Sequence, residues 1–239
     1  MKNAKDYIIF PLDVPGFDDA MKYVNLLKDH VGLFKVGLEL FISQGPDILK
    51  AILETAGRKV FLDLKLHDIP ATVTRAFMVA SSYGPEFVTI HCDAGEGLLK
   101  DAAANNPGNT KILAITVLTS LKGENLAGLG YAEQYTKDLS QLALLKARLA
   151  KAAGCHGVVC SGHEAAMIRE ALGPDLIIVT PGIRPAWTLV EGDDQKRIVT
   201  PERAVRDGAD FIVIGRPIRD AKDPREAAEM VAHEIQLAL

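Results

Sequence analysis

Asp63, Lys65 and Asp68 place three charges in and just after a run of strand-forming residues, Phe61-Leu62-Asp63-Leu64-Lys65-Leu66-His67-Asp68-Ile69-Pro70. Alternate side chains of a strand share a face, so Asp63 and Lys65 point one way while Val60, Leu62, Leu64 and Leu66 point the other. A lysine with carboxylates within about 4–6 Å stays protonated. Such a lysine is a cation and a proton donor, not the Schiff-base nucleophile that needs a lowered pKa. Asp13 and Lys35, on earlier apolar runs, extend the alternation to Asp13, Lys35, Asp63, Lys65 and Asp68. The pattern in the run itself also fits an amphipathic edge strand with a surface ion pair, and the whole set fits a salt-bridge network holding strands together. A buried network is expensive relative to apolar packing, which favours function, most of all for Asp63, Lys65 and Asp68.

The residues after the charged run identify the element to which it belongs. Pro70 suits a first helical position, and Thr72 to Ala80 continue at helical spacing. A strand–loop–helix unit belongs to a parallel sheet covered on both faces, where charges are tolerated chiefly at a functional cavity. Apolar runs recur at Tyr7 to Leu12, Leu33 to Gly37, Val60 to Leu64, Phe87 to Ile90, Lys111 to Val117, Gly157 to Cys160, Leu176 to Val179 and Phe211 to Ile214. Eight strands suffice to close a barrel. An open doubly wound sheet has the same alternation of strands and helices, and the strand count favours a (β/α)8 barrel. Helical stretches from Asp47 to Ala56 and Thr72 to Tyr83 end at Gly57 and Gly84. Ser161 to Glu164 has capping-box spacing before Ala165 to Leu172, which Gly173 and Pro174 stop.

In a barrel, chemistry sits at the C-terminal ends of the strands. Asp13 ends the first strand, Lys35 lies on the second, His91 and Asp93 follow the fourth, and Thr119 and Ser120 follow the fifth. Pro181 to Arg184 follow the seventh, and Gly215 and Arg216 the eighth. Barrels often bind phosphate after strands seven and eight, and Arg184 and Arg216 would add charge-assisted donors there. Taken singly, a glycine only turns the chain and an arginine is commonly solvated. The connection from Arg184 to Val199 is long enough for a lid. Within it Gln195 is placed to meet a phosphate oxygen, or is a polar loop tip. Leu121 to Tyr131, with Gly123, Gly128 and Gly130, reads as a second mobile connection over the other end of a ligand. His91 and Asp93 form a weak ligand pair without His-x-His spacing, so no metal site is expected, and His67, His91 and Asp93 read as structural or as supports behind the residues that line the site.

Composition narrows the partners. The chain has 239 residues, 48% of them hydrophobic, which suits one large α/β domain or two small ones, and no composition break divides it. No apolar run reaches the roughly 18 to 20 residues of a membrane span, and Met1 to Phe10 lacks the features of a signal peptide, so a cytoplasmic location is expected. Three cysteines without Cys-x-x-Cys spacing indicate neither a disulfide framework nor a zinc site. A net charge of -4 gives no overall attraction for nucleic acid.

Taken in order, Leu12-Asp13, Lys35-Val36-Gly37, Asp63 through Val73, Leu118-Thr119-Ser120, Pro181-Gly182-Ile183-Arg184, Asp194-Gln195 and Gly215-Arg216 resemble the orotidine 5′-phosphate decarboxylase family. The match runs through almost the whole chain, and the block from Asp63 to Val73 is its most diagnostic part. The resemblance implies a single TIM-barrel domain over residues 1–239, working as a homodimer. It implies conversion of orotidine 5′-monophosphate to UMP and carbon dioxide in the last step of UMP synthesis, without metal or organic cofactor. By the same resemblance Lys65 would protonate C6, Asp63 would lie beside the departing carboxylate, Lys35 would hold the charge array and contact ribose, and Asp13 would bind a ribose hydroxyl. Asp68 and Thr72 would reach the neighbouring subunit's site. Thr119 and Ser120 would lie near the pyrimidine, Arg184, Gln195, Gly215 and Arg216 would hold the phosphate, and Ile69 and Pro181 would also bind substrate.

Two rivals share the barrel. Metal-dependent keto-sugar-phosphate decarboxylases or aldolases resemble this chain in their Asp-x-Lys-x-x-Asp core but carry a glutamate metal ligand where it has Lys35, and a cation there opposes metal binding. A catalytically silent barrel that only binds a nucleotide or sugar phosphate is the other, and the intact Asp63, Lys65 and Asp68 set speaks against it.

Overall fold

The computed structural model describes residues 2–57, 59–188 and 199–239. Eight parallel strands, β1 (Ile8–Pro11), β2 (Leu33–Val36), β3 (Val60–Leu66), β4 (Phe87–His91), β5 (Lys111–Ile115), β6 (Gly157–Val159), β7 (Ile177–Pro181) and β8 (Phe211–Val213), pair each with the next. β8 returns to β1 through Ile8–Ile212 and Ile9–Val213, which closes the sheet and excludes the open alternative. Each strand is buried on both faces, which is why its sequence reads as an apolar run rather than an alternation. Inward-facing Ile9, Leu33, Phe61, Phe87, Leu113 and Val179 fill the lumen. Outward-facing Phe10, Phe34, Leu62, Val88, Ile112 and Ile178 pack against the surrounding helices through Val24, Ile52, Phe77, Leu99, Ile168 and Val231.

Expected and observed elements differ mainly at their ends. β3 runs on to Leu66 and β7 to Pro181, while β5 stops at Ile115, although Thr116 still donates from its N–H and its Oγ1 to the Val159 carbonyl. The helices Asp47–Ala56 and Ala165–Leu172 form as read, and Gly57 ends the first in the left-handed region at φ 52°. The helix expected from Thr72 begins earlier, at Pro70, whose missing N–H is no loss in a first turn. At Ser161 to Glu164 one half of the capping box is present: Ser161 N–H donates to Glu164 Oε2 at 2.9 Å, but Glu164 itself is the N-cap. Residues 121–131 are not an open connection. Gly123–Gly128 is helical, and a Cβ at Gly123 would lie 2.0 Å from the Thr136 carbonyl oxygen, so the glycine permits a close backbone contact. Leu126 and Tyr131 from this segment pack with Val117 and Leu142 in a small satellite core. Cys92, Cys155 and Cys160 are buried thiols, and burial pushes the first two up to about 12. Among the described residues no helix is long and apolar enough to cross a membrane.

Candidate active site

β1, β2 and β3 are neighbours, with Pro11 in register with Lys35 and Lys35 with Phe61, so Asp13 and Asp63 each stand two residues beyond the level of Lys35. The long Lys35 side chain reaches both at the barrel mouth. Lys35 Nζ lies 3.0 Å from Asp13 Oδ1 and 3.7 Å from Asp63 Oδ2, and Lys65 Nζ lies 2.6 Å from the same Asp63 oxygen. Charges alternate without a break along Asp13, Lys35, Asp63 and Lys65. The two central groups are deep, with 12% of the Lys35 side chain and 10% of the Asp63 side chain exposed, so their mutual attraction is little screened. Gly37 clears the space they need, since a Cβ there would stand 2.9 Å from Lys35 Nζ. Arg219 Nη1 donates to the Asp13 main-chain oxygen at 3.2 Å and holds the outer end of the row.

Lys65 is not an ordinary strand residue. Its φ of 49° is the one left-handed value among the described non-glycine residues, and the register between β3 and β4 shifts between Leu62 and Leu66 around it. A left-handed conformation costs an L-residue about 1–2 kcal/mol. Its N–H donates to Thr89 Oγ1 at 2.8 Å, and the Thr89 hydroxyl donates to Asp63 Oδ1 at 3.0 Å. One residue past β3, the ring of His67 stacks on that of His91 with centroids 5.1 Å apart. His91 Nδ1 is 2.9 Å from Asp93, which also pairs with Lys146 at 2.5 Å. The hydrogen bond from His91, then that from Lys146, hold the Asp93 carboxyl well below the usual carboxylate range despite burial.

A cavity of about 220 Å³ opens beside the array. Lys35, Asp63 and Lys65 form its charged wall; Phe61, Ile115, Val117, Val159 and Val213 are among its apolar lining. Edge-to-face contacts of Phe61 with Phe87, and of Phe87 with Phe211, pack the barrel beneath it. A second cavity of about 400 Å³ shares Val117, Leu118, Thr119 and Pro181 with the first and extends to Ser161, Glu164 and Val199. Burial raises the Glu164 carboxyl to about 7.

At the ends of β7 and β8, Arg184 and Arg216 come near each other. Burial first, then the Arg216 charge, lower the Arg184 guanidinium from its ordinary value. Two neighbouring cations raise the local positive potential. Gly182 takes φ 76° and turns the chain there, while Gly215 passes so close to β1 that a Cβ would stand 2.9 Å from Pro11 Cγ. Arg184 N–H donates to the Val199 carbonyl at 3.1 Å, tying the two ends of the long connection together.

Of the residues expected to act, the chain brings Asp13, Lys35, Asp63 and Lys65 into one row and places Thr119 and Pro181 on both cavity walls. It does not bring Asp68 to the row: Asp68 is exposed, and its Oδ1 accepts the Ile69 N–H at 2.6 Å. Ile69, Thr72 and Ser120 are likewise exposed, and Gln195 lies outside the described residues. Sequence reasoning singled out neither Thr89 nor Arg219 and gave Gly37 no role of its own. A threonine midway along the apolar run Phe87 to His91 was the one available signal for Thr89.

A closed parallel barrel with charged and apolar side chains converging at its strand C-terminal ends is the architecture of a barrel enzyme. Residues 6–231 match the model of the orotidine 5′-phosphate decarboxylase / HUMPS family, and the chain belongs to that family. The orotidine 5′-phosphate decarboxylase of Desulfosudis oleivorans is 45% identical over 236 residues, 98% of this chain and 95% of the relative. That of Methylococcus capsulatus is 46% identical over 231 residues, 97% and 92% of the two chains. A solved structure of orotidine 5′-phosphate decarboxylase from Lactobacillus acidophilus is similar with a TM-score of 0.81 and 34% identity, over 95% of this chain and 97% of that one. The chain is accordingly an enzyme of the carboxy-lyase class.

Proposed function

We propose that residues 1–239 act as one domain that converts orotidine 5′-monophosphate to UMP and carbon dioxide in pyrimidine synthesis, without metal or organic cofactor. The observation that carries this reading is the row Asp13, Lys35, Asp63 and Lys65 along one wall of an otherwise largely apolar cavity. Loss of carbon dioxide leaves an electron pair on a ring carbon with no cofactor to accept it, so a fixed cation must stabilise that charge and then deliver a proton. In this reading the bond from C6 to the carboxyl carbon breaks, carbon dioxide leaves, and the Lys65 ammonium protonates C6. Water then restores the Lys65 proton. Asp63 stands beside the departing carboxylate, and its repulsion destabilises the ground state. Lys35 holds the charge array and contacts ribose, a hydroxyl of which donates to Asp13. Thr119, Ser120 and Pro181 border the pyrimidine. Arg184, Gln195, Gly215 and Arg216 hold the phosphate. Enzymes reach about 10¹⁷-fold acceleration, roughly 23 kcal/mol, and one lysine does not supply that, so phosphate binding contributes by closing the site.

The active form in this reading is a cytoplasmic homodimer that binds neither nucleic acid nor membrane. Its support is an exposed face at the start of and along the helix Pro70–Ser82, where Ile69 is 65% and Val79 55% exposed next to Asp68 and Thr72. A two-fold contact through that face carries Asp68, Ile69 and Thr72 to the partner's cavity. Mixing refolded Lys65→Ala and Asp68→Ala chains tests it. Random pairing makes about half the dimers mixed, each with one intact site, so about a quarter of wild-type activity returns. Confirmed heterodimers without activity reject shared sites.

The direct test monitors ultraviolet absorbance on mixing the chain with orotidine 5′-monophosphate. Conversion that survives exhaustive chelation is the expected result. Activity lost to chelator and restored by Mg²⁺ moves the assignment to the keto-sugar-phosphate relatives, and binding without conversion makes the barrel a silent one.

A further inference from the structure

We infer that Thr89 is a positioning residue for the proton-donating lysine, an assignment that rests on the decarboxylase reading above. Thr89 is fully buried on the inward face of β4, two residues beyond Phe87. Its hydroxyl makes two bonds whose directions are forced. The Lys65 N–H can only donate, so Thr89 Oγ1 accepts at 2.8 Å; the Asp63 carboxylate can only accept, so Thr89 donates to Oδ1 at 3.0 Å. One oxygen atom thus ties the backbone of Lys65 to the side chain of Asp63.

Both ties fall where the strand cannot supply its own. The β3–β4 register breaks between Leu62 and Leu66, and Lys65 turns into the left-handed region inside that break. A half-buried N–H that leaves the sheet ladder needs another acceptor, and the Thr89 hydroxyl is that acceptor. By engaging Oδ1, the same hydroxyl stops the Asp63 carboxylate from rotating and leaves Oδ2 for Lys65 at 2.6 Å and Lys35 at 3.7 Å. Without it the carboxylate swings and the turn at Lys65 relaxes, so Nζ loses its place relative to the reacting carbon. Binding through Arg184 and Arg216, at the ends of β7 and β8, is untouched.

The test compares Thr89→Val, which keeps the shape and removes the hydroxyl, with Thr89→Ser, which keeps the hydroxyl. With orotidine 5′-monophosphate as substrate, Thr89→Val is expected to lower kcat about 10²-fold, the order expected for a catalytic group displaced by about 1 Å, with KM within about threefold. Thr89→Ser should recover kcat to within about fivefold of wild type. Hydrogen exchange at the Lys65 amide, read by NMR, should be slow in wild type and Thr89→Ser and fast in Thr89→Val. A Thr89→Val enzyme with wild-type kcat, or equal losses in both variants, overturns the assignment while leaving the decarboxylase reading intact. A wild-type chain that fails to convert the substrate overturns the decarboxylase reading instead, and the Lys65 exchange rates still decide whether Thr89 holds the turn. Should Thr89→Val not fold, the wild-type amide decides: rapid exchange there removes the bond on which the inference stands.

Discussion

Both ends of the barrel carry lysines interleaved with carboxylates, and the two ends hold them differently. At the N-terminal end Glu86 sits between two lysines, with Lys59 3.0 Å from Oε2 and Lys111 2.6 Å from Oε1. Each oxygen has its own cation, the lysines reach solvent, and Lys111 and Lys2 lie over the rings of Phe87 and Phe211. At the C-terminal end two lysines crowd a single oxygen of Asp63, their neighbour Asp13 is half exposed, and the backbone of Lys65 is strained. Paired charges with ordinary backbones border an open cavity of about 340 Å³ at the bottom; crowded charges held on a strained turn line the cavity at the top. Ion pairing alone therefore says little about function in this fold. Sharing of one carboxylate oxygen and a strained backbone do, since a cavity adjoins both clusters.

The sharpest way to break this contrast is at Lys65. Lys65→Ala should lower kcat about 10⁴-fold, the upper end for loss of a proton-transferring group. The fold should survive. Lys65→Gly should be as inactive yet more stable than Lys65→Ala by about 1 kcal/mol in chemical denaturation, because glycine occupies the left-handed region freely. A Lys65→Ala enzyme that loses stability rather than activity would make the upper array a structural network like the lower one.

Arg216→Ala probes the anion end with a smaller effect. Loss of a charge-assisted phosphate contact should lower kcat/KM by about 3 kcal/mol in equivalent free energy. On a substrate lacking the phosphate, the variant and wild type should differ little. Equal slowing of both substrates would mean that Arg216 does not act through phosphate.

Much of the upper end was legible in the residues because the i, i+2 spacing of a strand puts Asp63 and Lys65 on one face, and their 2.6 Å contact keeps them together in the irregular strand. Spacing carries no mark of the left-handed turn at Lys65. The eight strands were also legible, but double burial removes the alternation that marks strand ends, so β3, β5 and β7 were misjudged by about two residues. Thr89 was not legible: a hydroxyl inside an apolar strand gains meaning only from the β3–β4 register, which no local pattern encodes. Glycines misled at Leu121 to Tyr131, where Gly123 serves helix packing rather than mobility. Asp68 was read as part of the array, and the single chain leaves it exposed beside an apolar face, which is why its role rests on a second copy.

The lower end supplies the smallest effect and the control. Glu86→Gln removes one carboxylate from between two lysines and should destabilise the fold by about 1–2 kcal/mol at pH 7, below the cost of breaking a fully buried pair because both lysines reach water. Activity should stay within about twofold of wild type, since Glu86 lies at the opposite end of the barrel from Asp63. The pH dependence has a definite sign. Burial pushes the Glu86 carboxyl up, but the hydrogen bonds and charges of Lys111 and Lys59 outweigh it and leave the folded-state value below the ordinary 4.5. Wild type therefore gains its full advantage over Glu86→Gln above about pH 4.5, and that advantage is lost as pH falls through the folded-state value. Denaturation of both proteins at pH 7, 5 and 3.5 should show the stability gap narrowing only at the lowest pH. A gap that widens on acidification would reverse the assigned shift, and a Glu86→Gln enzyme as inactive as Lys65→Ala would erase the distinction between the two ends.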